Sequence, residues 1–303
     1  MLSEDNLKML FSAISSVFLT TPDTEITIEG NPDDITQELI RAWKEVGVNR
    51  MSLGVQSFDD EDLRKINRRH SAKQAEDAVR LLHDNGFDNI SVDLIYGLPD
   101  QTLDGFERNL QKAFSLPIAH LSSYALSIEE GTPMYRQGVR EIDDDLSRAM
   151  YEKLMACAES AGFEHYEISN FAKKGCRSRH NSAYWTGEAY LGLGPGAHGY
   201  DGKRKRTACV PNLKDFIDNG AHYTVETLTD DELYDEFVLC RLRTCDGLDI
   251  NDLSLERRDY LLKNAEPHLR EGWLRLEDGN LSFTRQGLFV SDWVMSDLMC
   301  LGD

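Results

Sequence analysis

The sequence predicts an α/β chain: a parallel βα sheet or barrel, followed by a small α+β domain of winged-helix shape. Three observations carry this. Strand-like and helix-like segments alternate over the first 128 residues, the signature of βα units and a parallel sheet. A helical run near the end gives way to two short strand segments about Asp278-Gly279-Asn280, a hairpin turn signal. A length of 303 residues, 41% apolar and 28% charged, suits a globular chain of one large or two moderate domains.

The elements follow in order. Leu7, Leu10, Phe11 and Ile14 recur at helical spacing behind Ser3, a helix-capping residue type. Glu25 to Ile28 read as a strand that ends at Glu29-Gly30-Asn31-Pro32, and Leu39, Ile40, Trp43 and Val46 mark a helix closed by Gly47. A strand from Arg50 to Val55 ends at Gln56-Ser57; Ala75, Ala78, Val79 and Leu82 then form a helix stopped at Gly86. Asn89 to Tyr96 make a strand ending at Gly97-Leu98-Pro99, before a helix near Thr102–Phe114 and a strand near His120–Ile128. A helix from Asp143 to Ala161, capped by Gly162, opens the second half. Residues 163–206, rich in Gly, aromatic and basic residues, read as loops with short strands; from Thr207 the pattern is helical up to the closing hairpin and a last helix. This divides the chain into segments 1–140, 141–206 and 207–303.

Charge excludes several function classes. Lys and Arg number 33 against 53 Asp and Glu, a net of −20, and residues 207–303 alone carry 9 against 20. Such a surface repels nucleic-acid phosphate and anionic lipid, so the winged-helix shape is not expected to bind DNA. No apolar stretch reaches the length of a membrane span and the N-terminus is acidic, which points to the cytoplasm. Cys157, Cys176, Cys209, Cys240, Cys245 and Cys300 are scattered without a chelating spacing, so reduced thiols and no metal site are expected.

Ligands of parallel βα folds sit at the C-terminal ends of the strands. Three successive strands place a polar residue there: Glu29, Gln56 and, within its strand, Asp93. Asp93 interrupts the apolar run Ile90, Val92, Leu94, Ile95, and a lone carboxylate there is costly unless it is paired or meets a ligand. A salt bridge to a neighbouring helix would also account for Asp93, a loop carboxylate for Glu29 and a strand-end turn for Gln56. Arg68, in Ile66-Asn67-Arg68-Arg69-His70, is either a solvated basic turn or a guanidinium fork facing a carboxylate. Glu29, Gln56 and Asp93 together suggest a ligand with hydroxyl and amine groups, such as a nucleoside or an amino acid.

The phrases IEGNP, SLGVQSF, INRRH, VDLIYGLP, HNSAYW and GLGPGAHGY, in this order, resemble the oxygen-independent coproporphyrinogen III oxidase-like radical SAM proteins, and most of all their heme-chaperone branch. The resemblance spans nearly the whole chain. It implies a partial radical SAM (β/α) barrel over 1–140, a connecting region over 141–206 and a C-terminal helical, winged-helix-like domain over 207–303. It implies S-adenosylmethionine contacts at Glu29, Gln56, Arg68 and Asp93, with carboxylates for the ribose and amino group and Arg68 for the methionine carboxylate. His180-Asn181-Ser182-Ala183-Tyr184-Trp185 matches the phrase that separates the heme-chaperone branch from the oxidases. Imidazole is a suitable axial ligand for heme iron, and adjacent aromatics could flank a porphyrin. His180 is thus a heme-ligand candidate, or else part of a structural His-Asn turn; His198, in Gly194-Pro195-Gly196-Ala197-His198, is the second candidate. Lys173, Lys174, Arg177, Arg179 and the run Lys203–Arg206 are the dense basic clusters that porphyrin propionates would favour.

The C-x-x-x-C-x-x-C phrase whose thiolates hold the family's [4Fe–4S] cluster is absent, as is its Gly-Gly-Gly-Thr-Pro phrase. The chain opens at LSEDNLKMLF, which resembles the stretch just after them. Two opening strands and a helix, about 30 residues or more for one βαβ unit, are therefore expected to be missing. Either the chain is a shortened gene product or fragment, or it is a degenerate, cluster-free paralogue; in both cases catalytic activity of the chain as written is not expected. The bare sheet edge predicts poor solubility or homodimerisation. The leading expectation is a heme-binding chaperone that passes heme to an acceptor protein, with respiratory-chain proteins as candidates, and that uses S-adenosylmethionine and a [4Fe–4S] cluster in the intact protein. The alternative is oxidative decarboxylation of coproporphyrinogen III.

Overall fold

The spacing behind Ser3 does form a helix. In the computed structural model, which describes residues 3–300, the Ser3 side chain accepts from the Asn6 amide and opens α1 (Glu4–Val17). β1 (Thr27–Gly30), α2 (Gln37–Glu45) and β2 (Arg50–Gln56) follow. A six-residue helix that the sequence pattern did not reveal, α3 (Asp60–Lys65), precedes α4 (Ala72–Asp84), which Ser71 and Gln74 start with a reciprocal capping box. Then come β3 (Ile90–Tyr96), α5 (Leu103–Ser115), β4 (His120–Ala125), the single turn α6 (Pro133–Arg136), α7 (Asp144–Ser160), β5 (Glu164–Glu167) and β6 (Asn170–Ala172). β4 stops three residues short of the expected Ile128, whose amide is taken instead by the Glu141 side chain.

These elements build one six-stranded sheet in the order β1-β2-β3-β4-β6-β5. β1 to β4 are mutually parallel, as the βα alternation predicted, and the β5–β6 hairpin closes the far side antiparallel. Strand alternation sorts the side chains by face. Met51, Leu53 and Val55 of β2, Ile90, Val92 and Leu94 of β3 and Leu121 of β4 are fully buried on the face that α2, α4, α5 and α7 cover with Ile40, Val79, Leu82, Phe106, Leu110 and Leu154. The opposite face is polar. It carries Thr27 and Glu29, then Arg50, Ser52 and Gln56, then Ser91 and Asp93, then His120 and Ser122. Apolar burial on the helix side holds the sheet, while Arg50, Ser52, Ser91, His120 and Ser122 of the polar face are buried as well.

The chain divides into two compact units at Arg177/Ser178, a point inside the segment 141–206. The second unit begins with α8 (Arg179–Thr186), followed by β7 (His198–Tyr200), β8 (Lys205–Cys209), α9 (Leu213–Asn219) and β9 (Tyr223–Thr227). The sequence reading of this stretch needs two corrections. The HNSAYW phrase is helical, not a His-Asn turn, because the Ser178 side chain caps α8 by accepting from the Asn181 amide and Gly187, at φ 72°, ends it. The residues after Thr207 are not helical at once, since β7, β8 and β9 form an antiparallel sheet. The remainder has the expected helices, closing hairpin and last helix, α10 (Asp230–Leu242), α11 (Leu255–Arg270), β11 (Leu274–Glu277), β12 (Asn280–Phe283) and α12 (Ser291–Leu298), with one strand the sequence reading did not foresee, β10 (Leu248–Asp249), between α10 and α11. Asp278 and Gly279 both have positive φ, 52° and 85°, which the tight β11–β12 hairpin requires. Val238, Leu242, Leu248, Leu261, Leu281 and Val294 form a separate core for this unit.

Candidate functional site: a polar strand-end cluster and an aromatic helix

In the first unit, register brings the polar residues together. Glu29 pairs with Ser52, Ser52 with Ser91 and Asp93 with Ser122, so all share the polar face of the sheet. Ser52 Oγ donates to Asp93 Oδ1 over 3.4 Å, and Ser122 supplies a second hydrogen bond. Burial pushes the Asp93 carboxyl up to about 6; the Ser122 hydrogen bond and the Arg50 guanidinium pull it down, while the Glu29 charge pushes it further up. Among the described residues no salt bridge to a helix ties Asp93. Two residues before Ser52 on β2, Arg50 is only 4% exposed and its Nε has no hydrogen-bond partner among the described residues. Ser91 Oγ and His120 Nδ1 lie 2.8 Å apart, and Tyr166 Oη and His120 Nε2 lie 2.7 Å apart. Burial, with Arg50 nearby, depresses His120 to about 3, so this imidazole is neutral.

Gln56 and Arg68 approach the same edge. Gln56 stands at φ 68°, a left-handed conformation that turns its side chain back over Gly54. A Cβ on Gly54 would lie 3.0 Å from Gln56 Nε2 and 3.9 Å from Asn31 Oδ1, so the missing side chain makes the room. Arg68 follows Asn67, also left-handed at φ 56°, and its Nη1 donates to Asn31 Oδ1 over 3.3 Å. Asn31 thus ties Arg68 to the end of β1, a role the sequence reading missed although the residue stands two positions after Glu29 in the quoted IEGNP phrase. A buried network below pins the two loops of this edge: Ser57 Oγ and Gln101 Nε2 both donate to Asp62 Oδ2, at 2.8 and 2.9 Å, and the Gly97 amide donates to Gln101 Oε1. A cavity of about 780 Å³, lined by Leu7, Phe11, Ile14 and Trp43, reaches Glu29 and Asn31. The cavity touches Glu29 and Asn31 of this cluster and not Gln56, Arg68 or Asp93; along the strand ends the cluster offers two carboxylates, a guanidinium and an amide: acceptors for an ammonium or ribose diol, and a donor fork for a carboxylate.

In the second unit, the HNSAYW helix heads a train of rings. His180 meets Tyr184 edge-on at 4.9 Å, Tyr184 meets Tyr190 at 4.7 Å, and Tyr190 stands 6.3 Å from Tyr200. His198 lies two residues before Tyr200 on β7, on the same face of the sheet, and opposite Ala208. Gly192 packs against the His198 backbone where no Cβ would fit. Tyr184, Trp185, Tyr190, Tyr200, Phe237 and Cys240 help to line a cavity of about 510 Å³. His180 and His198 are both exposed and flank the ring train; neither lines the cavity. The basic clusters are partly spent on acidic neighbours, Arg177 on Glu164, Arg204 on Asp230 and Arg206 on Glu236, which leaves Lys173, Lys174, Lys203 and Lys205 without an ion pair among the described residues.

All six cysteines are thiols, and among the described residues no three His, Cys, Asp or Glu side chains converge as a metal site. The residues of this chain therefore do not fit a three-thiolate iron–sulfur cluster.

Comparison with known proteins now places the chain. Residues 2–113 match the radical SAM superfamily and residues 228–290 the HemN C-terminal domain. The heme chaperone HemW of Mycobacterium tuberculosis (strain ATCC 25618 / H37Rv) is 34% identical over 99% of this chain and 78% of its own length. The chain belongs to the HemW family of radical SAM proteins. The HemW of Bacillus subtilis (strain 168) is 41% identical over 78% of this chain, and the mitochondrial radical S-adenosyl methionine domain-containing protein 1 of Mus musculus is 32% identical over 98% of it. The chain spans 65% of the length of the Bacillus relative and 54% of that of the Lactococcus lactis HemW. The coproporphyrinogen III oxidase (HemN) of Escherichia coli, 20% identical, superposes on 99% of this chain and 75% of its own with a TM-score of 0.83, so the HemW family member described here has the HemN fold. No helix among the described residues is long and apolar enough to cross a membrane.

Proposed function

We propose that this chain serves a heme chaperone: its second unit binds heme on the HNSAYW helix, its first unit holds S-adenosylmethionine at the strand ends, and the heme passes to an acceptor protein. The observation that carries the reading is the His180–Tyr184–Tyr190–Tyr200 ring train, a histidine and flat aromatic surfaces beside Lys203 and Lys205 in an otherwise acidic chain. The HemW relatives support it by name. His180 and His198 are the axial-ligand candidates, and respiratory-chain hemoproteins are the expected class of acceptor. A reducing cytoplasm suits the six thiols, and homodimerisation belongs to the same reading.

In the first unit Arg68 takes the methionine carboxylate, Glu29 and Asp93 the ammonium and ribose hydroxyls, and Gln56 and Asn31 order the rim. Bound there, S-adenosylmethionine supplies an activated sulfonium; this chain supplies the grip. Asp93 fits such a ligand well, since a positive ammonium replaces the solvation that its carboxylate has lost. The [4Fe–4S] cluster of the radical SAM superfamily finds no thiolate set here, so no step is routed through it.

Hemin titration followed at the Soret band tests the proposal. Saturable binding is expected, weakened about tenfold in His180→Ala, the equivalent of about 1.4 kcal/mol for one lost iron ligand. Unchanged affinity and band position in both His180→Ala and His198→Ala would remove these histidines, and the heme assignment of this helix with them.

A further inference from the structure

Neither ligand of the proposed function accounts for a niche on the C-terminal part of the second unit. His268 lies on α11 and is 3% exposed. Its Nε2 stands 3.2 Å from Asp297 Oδ2, so in the neutral ring the proton sits on Nε2 and Nδ1 keeps its lone pair. That Nδ1 is buried and has no hydrogen-bond partner among the described residues. Two indoles enclose the imidazole. Trp273 is 5.7 Å and Trp293 5.5 Å from it, and the indoles meet at 5.0 Å with their planes 67° apart. Trp293, although part of this cluster, remains 52% exposed. The cavity the rings border is about 580 Å³ and is also lined by Asn264, Glu271, Asp297 and Lys263.

Each of these features favours positive charge. Indole faces carry the negative end of the ring quadrupole, the imidazole offers an unused acceptor, and Glu271 and Asp297 outnumber Lys263. The surrounding segment 207–303 has 9 basic against 20 acidic residues. A buried acceptor left without a donor is destabilising by itself, which makes an incoming N–H favourable. A guanidinium meets the whole set of demands: it is planar and stacks on indole, and it donates from several N–H groups at once, whereas an ammonium stacks less well.

We propose that the Trp273–Trp293–His268 niche is a docking site for an arginine side chain of a partner protein. It rests on neither the heme nor the S-adenosylmethionine reading. The test uses the whole chain with ¹⁵N-labelled tryptophan indoles, titrated with N-acetylarginine methylamide and, as the neutral isostere, N-acetylcitrulline methylamide. Saturable shifts of the Trp273 and Trp293 indole signals are expected with the arginine probe, with an apparent Kd of about 1–10 mM as befits one side chain. Trp43 and Trp185 should not respond. Trp293→Ala, at an exposed ring whose loss leaves the core of the unit in place, should abolish the shift at Trp273, and Asp297→Asn should weaken binding severalfold. An equal response to citrulline, no saturation with arginine, or binding retained in Trp293→Ala overturns the proposal. Equal binding of N-acetyllysine methylamide overturns the choice of arginine.

Discussion

Asp93 places a carboxylate in a strand whose neighbours Val92 and Leu94 are fully buried, with two serines and the Arg50 guanidinium as compensation. Its raised pKa is a statement about stability. The group contributes stability below the ordinary carboxyl value of 3.8, and that contribution is lost as pH rises to about 6. At pH 7.5 the ionised Asp93 therefore weighs against the ligand-free fold, by up to about 3 kcal/mol for a shift of this size. Asp93→Asn is expected to raise the stability of the ligand-free chain at pH 7.5 by about 1–3 kcal/mol, to be neutral near pH 4, and to lose S-adenosylmethionine binding. Urea unfolding at a series of pH values and equilibrium dialysis check the two halves. His120 works in the opposite sense: its depressed value means stability that is present above 6.5 and lost as pH falls toward 3. In the native chain the two trends oppose each other between about pH 6 and 4. Asp93→Asn should expose the His120 slope, about 1.4 kcal/mol per pH unit at most. A mutant no more acid-sensitive than the native chain would contradict the burial of a neutral His120.

At the level of elements, the loops after β2 and β3 share one buried acceptor. Asp62, 7% exposed, receives Ser57 Oγ and Gln101 Nε2, and Gln101 in turn holds the Gly97 amide. Asp62→Ala strands two buried donors, so a loss of about 1–3 kcal/mol is expected, together with weaker S-adenosylmethionine binding, because Gln56 opens one of these loops. Hemin binding to the second unit should be unaltered; parallel loss of both would show that Asp62 supports more than this edge. The same elements show what a sequence displays. β2, β3, α4 and α5 bury a regular face, so their periodicity was legible, and with it the polar strand ends Glu29, Gln56 and Asp93. α8 has no buried residue and β9 is exposed along its whole length, so neither carries an apolar stripe to read. α3 is too short to show a period, and its helical end, with Asn67 left-handed, is what brings Arg68 back to Asn31. His180 was legible as chemistry through its phrase, but its place one turn from Tyr184 became visible only once Ser178 was seen to cap the helix.

For the whole molecule, the division at Arg177/Ser178 puts the two ligands of the proposed function in different units, each with its own core. A ligand that binds only the folded form of its unit slows the opening of that unit by the factor 1 + [L]/Kd, about 100-fold at 100 times the dissociation constant. Hydrogen exchange should therefore separate the two sites in one protein sample. S-adenosylmethionine is expected to protect amides of β1, β2 and β3 around Glu29, Gln56 and Asp93, with those of α8 unchanged. Hemin is expected to protect α8 and the β7–β8 hairpin, with β1 to β3 unchanged. Protection of α8 by S-adenosylmethionine alone would mean that the ring train answers to the strand-end ligand, and the assignment of one ligand to each unit would fall. Protection confined to the expected elements would tie S-adenosylmethionine to the strand ends and heme to the aromatic helix, independently of any activity measurement.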